Sequence, residues 1–248
     1  MKGAIMQPTY LPWLGYFAMI DDVELFIFLD DVQLEKRSWQ VRNRIKECDG
    51  KELMLSIPLH TLGRDVTRIC DAQFADSKWY IKHLASIRQC YRKSKYYNEI
   101  FPFIEDIYRR DYRCLSDFNI CFITTICEYL QIKTPLKKSS DFKNILGSKD
   151  ELLVNICNAC GIDRYLSAKG SAIYIENKEI GGAFSKTRIQ LEYQNYRHPQ
   201  YKQLGNEFMP YMGIIDLLFN EGEHSLSIIR SGVRCSYTSE NVFEGNDE

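Results

Sequence analysis

GAIMQPTYLPWLGYFAMIDDVELFIFLDD, residues 3–31, decides how this chain begins to fold. Gly3 to Met6 reads as a short buried strand, Leu14 to Ile20 as a short helix, and Glu24 to Asp30 as a second buried strand. Pro8, Pro12 and Gly15 punctuate the loop after the first strand, which carries Tyr10, Trp13, Tyr16 and the Gln7 amide to one place. Strand, loop, helix and strand in that order form a small βαβ unit with parallel strands. The loop and the acids Asp30 and Asp31 then share the carboxyl edge of a sheet, where open α/β folds bind their ligands.

The rest of the chain can bury such a sheet. It has 248 residues, 45% hydrophobic and 13% aromatic, enough for a sizeable core. Trp39 to Lys46 and Glu52 to Ile57 read as extended runs joined across Asp49-Gly50, a hairpin signal. From Ser77 the period becomes helical: Tyr80, Leu84, Ile87 and Tyr91 recur on one face, then Leu115, Phe118, Phe122, Ile126 and Tyr129 on another, which predicts a mainly helical region at about 77–131. Lys149 to Cys160 reads as a helix between Ser148 as N-cap and Gly161 as stop. Tyr165 to Ser167 and Ile189 to Tyr193 read as strands, and Ile214 to Phe219 as a short helix. The fold class expected is α/β, a Rossmann-like parallel sheet core with an antiparallel hairpin and a helical insertion. No linker or repeat interrupts it, so residues 1–248 are expected to form one domain, with the last dozen frayed.

Composition narrows the function classes. A formal net charge of −1 gives no global argument for nucleic acid or an anionic membrane. No apolar run reaches the ~18 residues of a membrane span, and the first six residues are too short for a signal peptide, so no membrane insertion and a cytoplasmic location are expected. Nine cysteines at irregular spacing, an odd number, point to reduced thiols. Between Lys78 and Arg113, nine basic residues face four acids, which suits either a phosphate-rich partner or a solvated helix face.

Several constellations can carry chemistry. The Asp30-Asp31 pair is followed by Lys36, Arg37, Trp39, Arg42, Asn43 and Arg44; the acids can serve as a base or hold a cation, or pair with Arg37 or Arg42 and cap a turn. Arg42 and Arg44 share one strand face, a guanidinium fork for phosphate or carboxylate. His198 precedes Pro199, which imposes an extended loop, and Tyr201 and Gln203 share a face beyond it as a polar binding wall. His83, near the boundary of a helical apolar face, reads as structural. Ser167, Lys169, Gly170 and Ser171 lie between a strand and a helix, where amides and hydroxyls bind anions. Asp216, in an apolar helix, is a structural cap or a catalytic base. Cys157 and Cys160 form a CxxC without a second pair, and no metal ligand set is expected.

With these segments assembled, the chain resembles the WbqC-like family of bacterial proteins. The resemblance rests on QPTYLPWLGYF at 7–17, LDDVQ at 29–33, RNRIK at 42–46, the Trp79 to His83 element, YLSAKGSAIY at 165–174, HPQYKQ at 198–203 and IDLLFNEG at 215–222. It implies work beside the enzymes that build O-antigen, lipopolysaccharide, capsule and related surface glycans, on a nucleotide-linked sugar. A looser similarity links the strand, loop, helix and strand–Asp pattern to nucleotidylyltransferase-type folds, whose His-x-x-His signature is replaced here by Trp13 and Tyr16.

The activity expected from these parts is N-acyl or aminoacyl transfer to the amino group of a nucleotide-linked deoxyamino sugar, the acyl donor riding on coenzyme A, an acyl-carrier protein or tRNA. Asp30, His198 and Asp216 are the expected acid–base residues. Substrate contacts are expected from Gln7, Tyr10, Trp13 and Tyr16 in the first loop, from Asp31, Arg42 and Asn43, and from Ser167, Gly170 and Tyr174. Tyr201, Gln203 and Asn220 complete the expected wall. The alternatives are a nucleotide-binding enzyme of the nucleotidylyltransferase or ATP-dependent ligase type, with Mg²⁺ on Asp30 and Asp31 and phosphates at 167–171, or a non-catalytic scaffold using the aromatic loop.

Overall fold

The computed structural model describes residues 1–35, 37–47, 49–60 and 67–244. Lys36, one of the basic residues beside the Asp pair, lies outside the described residues, as do Cys48 and the last four residues.

Five parallel strands make the sheet: β1 (Lys2–Met6), β2 (Leu25–Phe28), β5 (Leu136–Lys138), β6 (Arg164–Ser167) and β7 (Gln190–Tyr193), in the order β5-β2-β1-β6-β7. Taken in chain order these are strands 3-2-1-4-5, the Rossmann arrangement, whose direction of winding reverses between β1 and β6. The adjacent strands β1 and β2 are nearly all apolar because both faces are covered there, while the edge strands β5 and β7 keep polar residues. Along β2, Phe26 and Phe28 enter one hydrophobic cluster and Leu25 and Ile27 the other, and β1 splits Ala4 from Ile5 in the same way. The second cluster is closed by α5 (Lys149–Cys160), α6 (Ala172–Ile175) and Phe184.

The larger cluster takes α1 (Leu14–Asp21), α2 (Trp79–Tyr91), α3 (Tyr97–Arg109), α4 (Leu115–Tyr129), α7 (Ile214–Glu221) and α8 (Ser225–Ser231). The helical middle region therefore shares its core with one face of the sheet. The hairpin is present as β3 (Arg42–Lys46) and β4 (Glu52–Ser56), paired antiparallel and apart from the parallel sheet. Its first strand starts later than expected. Trp39 to Val41 form a turn, because Ser38 O accepts from the backbone N–H of Val41 and Arg42, while Trp39 O accepts from Tyr10 N–H at 2.8 Å.

Local signals account for several boundaries. Gly161 adopts φ 69°, the left-handed conformation that lets the backbone turn out of α5. Ser148 occupies the N-cap position of that helix without a side-chain hydrogen bond, and Asp150 instead accepts from Ala183 N–H at 2.8 Å. The chain end is less frayed than expected: Tyr237 exchanges backbone hydrogen bonds with Tyr193, and Val242 is buried in the second cluster. Cys90, Cys114, Cys127 and Cys157 are buried thiols outside any disulfide, and burial pushes Cys127 and Cys157 up to about 12. No helix of the described residues is long and apolar enough to cross a membrane.

Asn119, inside α4 and fully buried, donates both amide hydrogens, to Pro8 O at 3.0 Å and Gln40 O at 2.9 Å. Asn119→Ala leaves both carbonyls without that partner. The expected loss is roughly 2–4 kcal/mol, read as a lower urea midpoint with unchanged slope; a midpoint equal to wild type would refute the role given to this amide.

Candidate functional site

Proline and glycine alone do not give the 7–13 loop its shape; amides anchor it from three directions. Asn43 on β3 donates to Tyr10 O at 3.0 Å and Leu11 O at 2.7 Å, Asn119 holds Pro8 O, and Ile214 N–H of α7 donates to Pro12 O at 2.8 Å. Tyr16 OH closes the loop on Gln7 O at 3.0 Å, and Gln40 Nε2 donates to Gln7 Oε1. Leu11 is held at φ 46°, a left-handed conformation that a non-glycine residue keeps only when its surroundings dictate it.

Against this loop lies a cavity of about 250 Å³ at the carboxyl end of β1. Met6, Thr9, Pro12, Trp13 and Tyr16 form one wall; Trp39, Asn43, Arg44 and Tyr211 form the other. Gly15 permits the first wall, since a Cβ there would fall 2.3 Å from the Trp13 indole. Arg44 is the one charged residue in the lining. Its NH1 meets Glu52 Oε1 at 2.5 Å, while its Nε is shielded from solvent without a hydrogen-bond partner. Trp39 and Tyr211 are each half-exposed at the mouth, and Tyr211 is held at φ 60°. Aromatic faces plus one guanidinium suit a small ring bearing polar or anionic groups.

The Trp13 indole stacks on the His198 imidazole with centroids 6.4 Å apart and planes 14° apart, and Tyr211 packs edge-on against His198 at 4.9 Å. His198 Nδ1 lies 3.0 Å from Pro199 O. A carbonyl only accepts, so Nδ1 carries the hydrogen and Nε2 the lone pair. Nε2 is shielded from solvent and has no hydrogen-bond partner, and burial holds the imidazole below its usual value of 6.5. His198 is therefore neutral near pH 7 and carries a basic nitrogen. It lines a second, larger groove of about 1160 Å³, which shares Tyr211 with the first cavity.

Asp216 reaches this region through hydrogen bonds. It is buried, with Oδ1 accepting from Tyr91 OH at 3.0 Å and Oδ2 from Tyr201 OH at 2.7 Å and Gln203 Nε2 at 2.9 Å. Burial raises its pKa, and the two tyrosines, the Lys46 charge and Gln203 oppose that rise. The buried Lys46 ammonium donates to Gln203 Oε1 at 3.2 Å and to Glu207 O. These bonds fasten the 198–211 segment to β3, α2 and α7, which makes Asp216 its anchor. Asn220 donates to Asp216 O at 2.7 Å, within α7.

The other expected residues fall in different places. Asp30 is buried at the end of β2 and accepts from Ser116 Oγ at 3.2 Å, Ser139 Oγ at 3.2 Å, Ser140 N–H at 3.0 Å and Ser140 Oγ at 2.9 Å. That set joins β2, α4 and the segment after β5, and shares no residue with the partners of His198 or Asp216. Asp31 competes with Asp30 for the one hydroxyl hydrogen of Ser139, whose Oγ accepts from Asp30 N–H at 3.1 Å. Tyr10 is wholly buried: its OH meets His83 Nδ1 at 2.7 Å and Tyr108 OH at 2.6 Å. Asn43 spends both amide hydrogens on the loop and its oxygen on Arg44 N–H at 2.8 Å. Ser167, Gly170 and Tyr174 line neither the cavity nor the groove. The helix that follows the 167–171 turn, α6, has four residues and offers little dipole to an anion. Arg42 shares the Arg44 face of β3 but does not line the cavity.

The basic stretch from Lys78 to Arg113 is partly paired within the helices: Arg109 meets Glu105 at 2.8 Å and Arg110 meets Asp106 at 2.7 Å, both at i,i+4. Sequence reasoning missed Tyr211 as a lining residue; it placed Arg44 in a guanidinium fork and Trp39 beside it without counting either among the substrate contacts. A signal existed for Tyr211, which sits in Pro210-Tyr211-Met212-Gly213, a second aromatic held between proline and glycine.

The strand order and the cavity at the sheet's carboxyl edge define a Rossmann-like α/β protein with a candidate site at that edge. The sequence profile of the WbqC-like protein family matches residues 7–228, and the chain belongs to that family. It is 33% identical over 233 residues to a protein of Mycobacterium tuberculosis (strain ATCC 25618 / H37Rv) named uncharacterized protein Rv1507c, covering 92% of this chain and 97% of that one. No solved structure matches the chain.

His83 supports the loop from below, with Nε2 lying 3.2 Å from Ser56 O, and burial pushes its pKa from 6.5 down to about 4. The folded state thus binds fewer protons than the unfolded state between these values. His83 favours folding fully above pH 6.5, and that contribution, roughly 3 kcal/mol, is lost as pH falls towards 4. His83→Gln is expected to flatten the stability–pH curve in this window, measured by urea unfolding at stepped pH; an unchanged slope would contradict the assignment.

Proposed function

We propose that the chain is an N-acyl or aminoacyl transferase acting on the amino group of a nucleotide-linked deoxyamino sugar in bacterial surface-glycan biosynthesis, working as one domain in the cytoplasm. The observation that carries this reading is His198. Its Nε2 is a basic, unpartnered nitrogen beside Trp13 and Tyr211, at the junction of an aromatic cavity and a larger groove. Such a nitrogen can take a proton from an amine that attacks an acyl carbonyl. The C–N bond forms and the C–S bond of a thioester, or the C–O bond of an aminoacyl ester, breaks. The imidazolium then returns the proton to the leaving thiolate or alkoxide, so the step balances without a redox partner.

The cavity supports the same reading by its size and chemistry. Typical ligand pockets hold ~300–1,000 Å³, so about 250 Å³ suits one ring, not a whole nucleotide sugar. Trp13, Trp39 and Tyr211 would stack on that ring, and Arg44 Nε would donate to one of its oxygens. Tyr211 lines both spaces, and its movement would join them. Asp216 and Lys46 are positioning residues in this scheme, holding the segment that bears His198.

A second reading, a nucleotide-activating enzyme, is favoured by the 3-2-1-4-5 strand order. It would need Asp30 and Asp31 to hold Mg²⁺, and the Asp30 carboxylate already accepts from the Ser116 and Ser140 hydroxyls and from Ser140 N–H.

The test is transfer of a radiolabelled acyl group from coenzyme A, carrier-protein and tRNA donors to a panel of nucleotide-linked amino sugars. His198→Gln is expected to lower kcat about 10²–10⁴-fold with the melting temperature little changed. The wild-type profile of kcat/KM is expected to rise with pH on a limb below 6.5, where His198 deprotonates. Absence of transfer with every pair, or full activity in His198→Gln, would overturn the proposal.

A further inference from the structure

The groove of about 1160 Å³ beside His198 has an unusual charge balance. Two of its lining residues, Arg197 and Arg234, are arginines, and no carboxylate lines it. Both arginines are exposed, and neither pairs with an acid among the described residues. This contrasts with Arg44, Arg109, Arg110, Arg164 and Arg230, each of which meets a carboxylate within 3 Å. One terminal nitrogen of Arg234 is fixed on the backbone, donating to Ser231 O and Val233 O, both at 2.8 Å, and its remaining donors have no acceptor among the described residues.

Backbone pairing brings the two arginines close together. Tyr193 pairs with Tyr237 and Tyr196 with Val233, antiparallel. Arg197 N–H donates to Gly232 O at 2.9 Å and Arg234 N–H to Asn195 O at 3.0 Å. Arg234 thus lies opposite Asn195, two residues from Arg197, so the arginines are diagonal neighbours on one face, with Cα atoms roughly 7–8 Å apart. Two long guanidinium side chains on such neighbouring positions can converge on two adjacent phosphoryl groups, where a single one meets only one. Tyr196 OH donates to Ile229 O at 3.0 Å and thereby ties this short ladder to α8.

We infer that this groove is a diphosphate subsite, with Arg197 and Arg234 gripping the diphosphate of the substrate while the ring enters the neighbouring aromatic cavity. The assignment deepens the transfer reading and rests on it for the identity of the ligand, though the diphosphate chemistry stands on the arginines alone. It differs from the expectation that Arg42 or the 167–171 turn holds the phosphates. Gln200 and Asn195 in the same lining supply neutral donors, and Lys169 Nζ lies 5.1 Å from the ring centroid of the lining residue Tyr237.

Calorimetric titration of the full chain with inorganic pyrophosphate, UDP, uridine and coenzyme A tests this. UDP and pyrophosphate are expected to bind with an affinity that falls as salt rises, and uridine much more weakly. The double variant Arg197→Ala with Arg234→Ala is expected to weaken UDP binding about 10–100-fold or more, and the double lysine variant to recover part of the loss, since charge returns without the fork. Both side chains are exposed, so an unchanged melting temperature verifies that the variants fold. Loss of UDP binding assigns the diphosphate to the sugar nucleotide; loss of coenzyme A binding instead assigns it to the acyl donor, and both uphold the site. UDP, pyrophosphate and coenzyme A binding all at wild-type strength in the alanine variant would overturn it. Should the wild type transfer no acyl group while UDP binding still depends on the arginines, the transfer reading falls alone. Should His198→Gln abolish transfer while the arginine variants keep the wild-type KM, the subsite falls alone.

Discussion

Two buried asparagine amides hold the loop between β1 and α1, and the geometry of the site follows from them. Asn43 fastens Tyr10 O and Leu11 O from the hairpin, and Asn119 fastens Pro8 O and Gln40 O from α4. A buried carbonyl left unpaired costs about 1–3 kcal/mol, so the proline-rich loop has little freedom to take another path. Leu11 stays in the left-handed region, Trp13 lies over Gly15, and the indole presents one face to His198. The same asparagines dock the hairpin and the helical region onto the sheet's carboxyl edge, and this brings Arg44 and Trp39 against a loop they are distant from in sequence.

The opposite wall is fixed by charge. Lys46 and Asp216 are buried ionisable groups, and each has hydrogen-bond partners, as groups removed from water must. Removing one partner of such a network is expected to cost about 3–5 kcal/mol, far more than an exposed pair such as Arg109–Glu105 contributes. The buried network therefore determines where the 198–211 segment runs, and the surface pairs do not. With one wall held by amides and the other by a carboxylate network, Tyr211 is the exposed lining side chain shared by cavity and groove.

Much of this was legible in the sequence, and the failures share a cause. Period and punctuation carry local information, so β1, α1, β2, α5 with its glycine stop, and the helical region match their expected places closely. The motif residues Trp13, Tyr16 and His198 do line the two spaces. Polar residues in motifs were harder to read, because an asparagine or aspartate that holds a loop looks the same in sequence as one that holds a substrate. Asn43, Tyr10 and Asp216 are placed inside the protein by partners 13 to 125 residues away, a pairing that no local pattern encodes. Arg197 and Arg234 were overlooked for the converse reason: the ladder that joins them forms only once β7 meets the chain end. The short strand β5 was also unreadable, because three residues at a sheet edge carry no period.

A crystal structure of the full chain bound to a nucleotide-linked amino sugar tests the central claim most directly. The account predicts the sugar ring between Trp13 and Trp39, its amino nitrogen within hydrogen-bond reach of His198 Nε2, and Tyr211 displaced from its present position. A sugar seated instead at the 167–171 turn or beside Arg109 to Arg113, with His198 still covered, would contradict it.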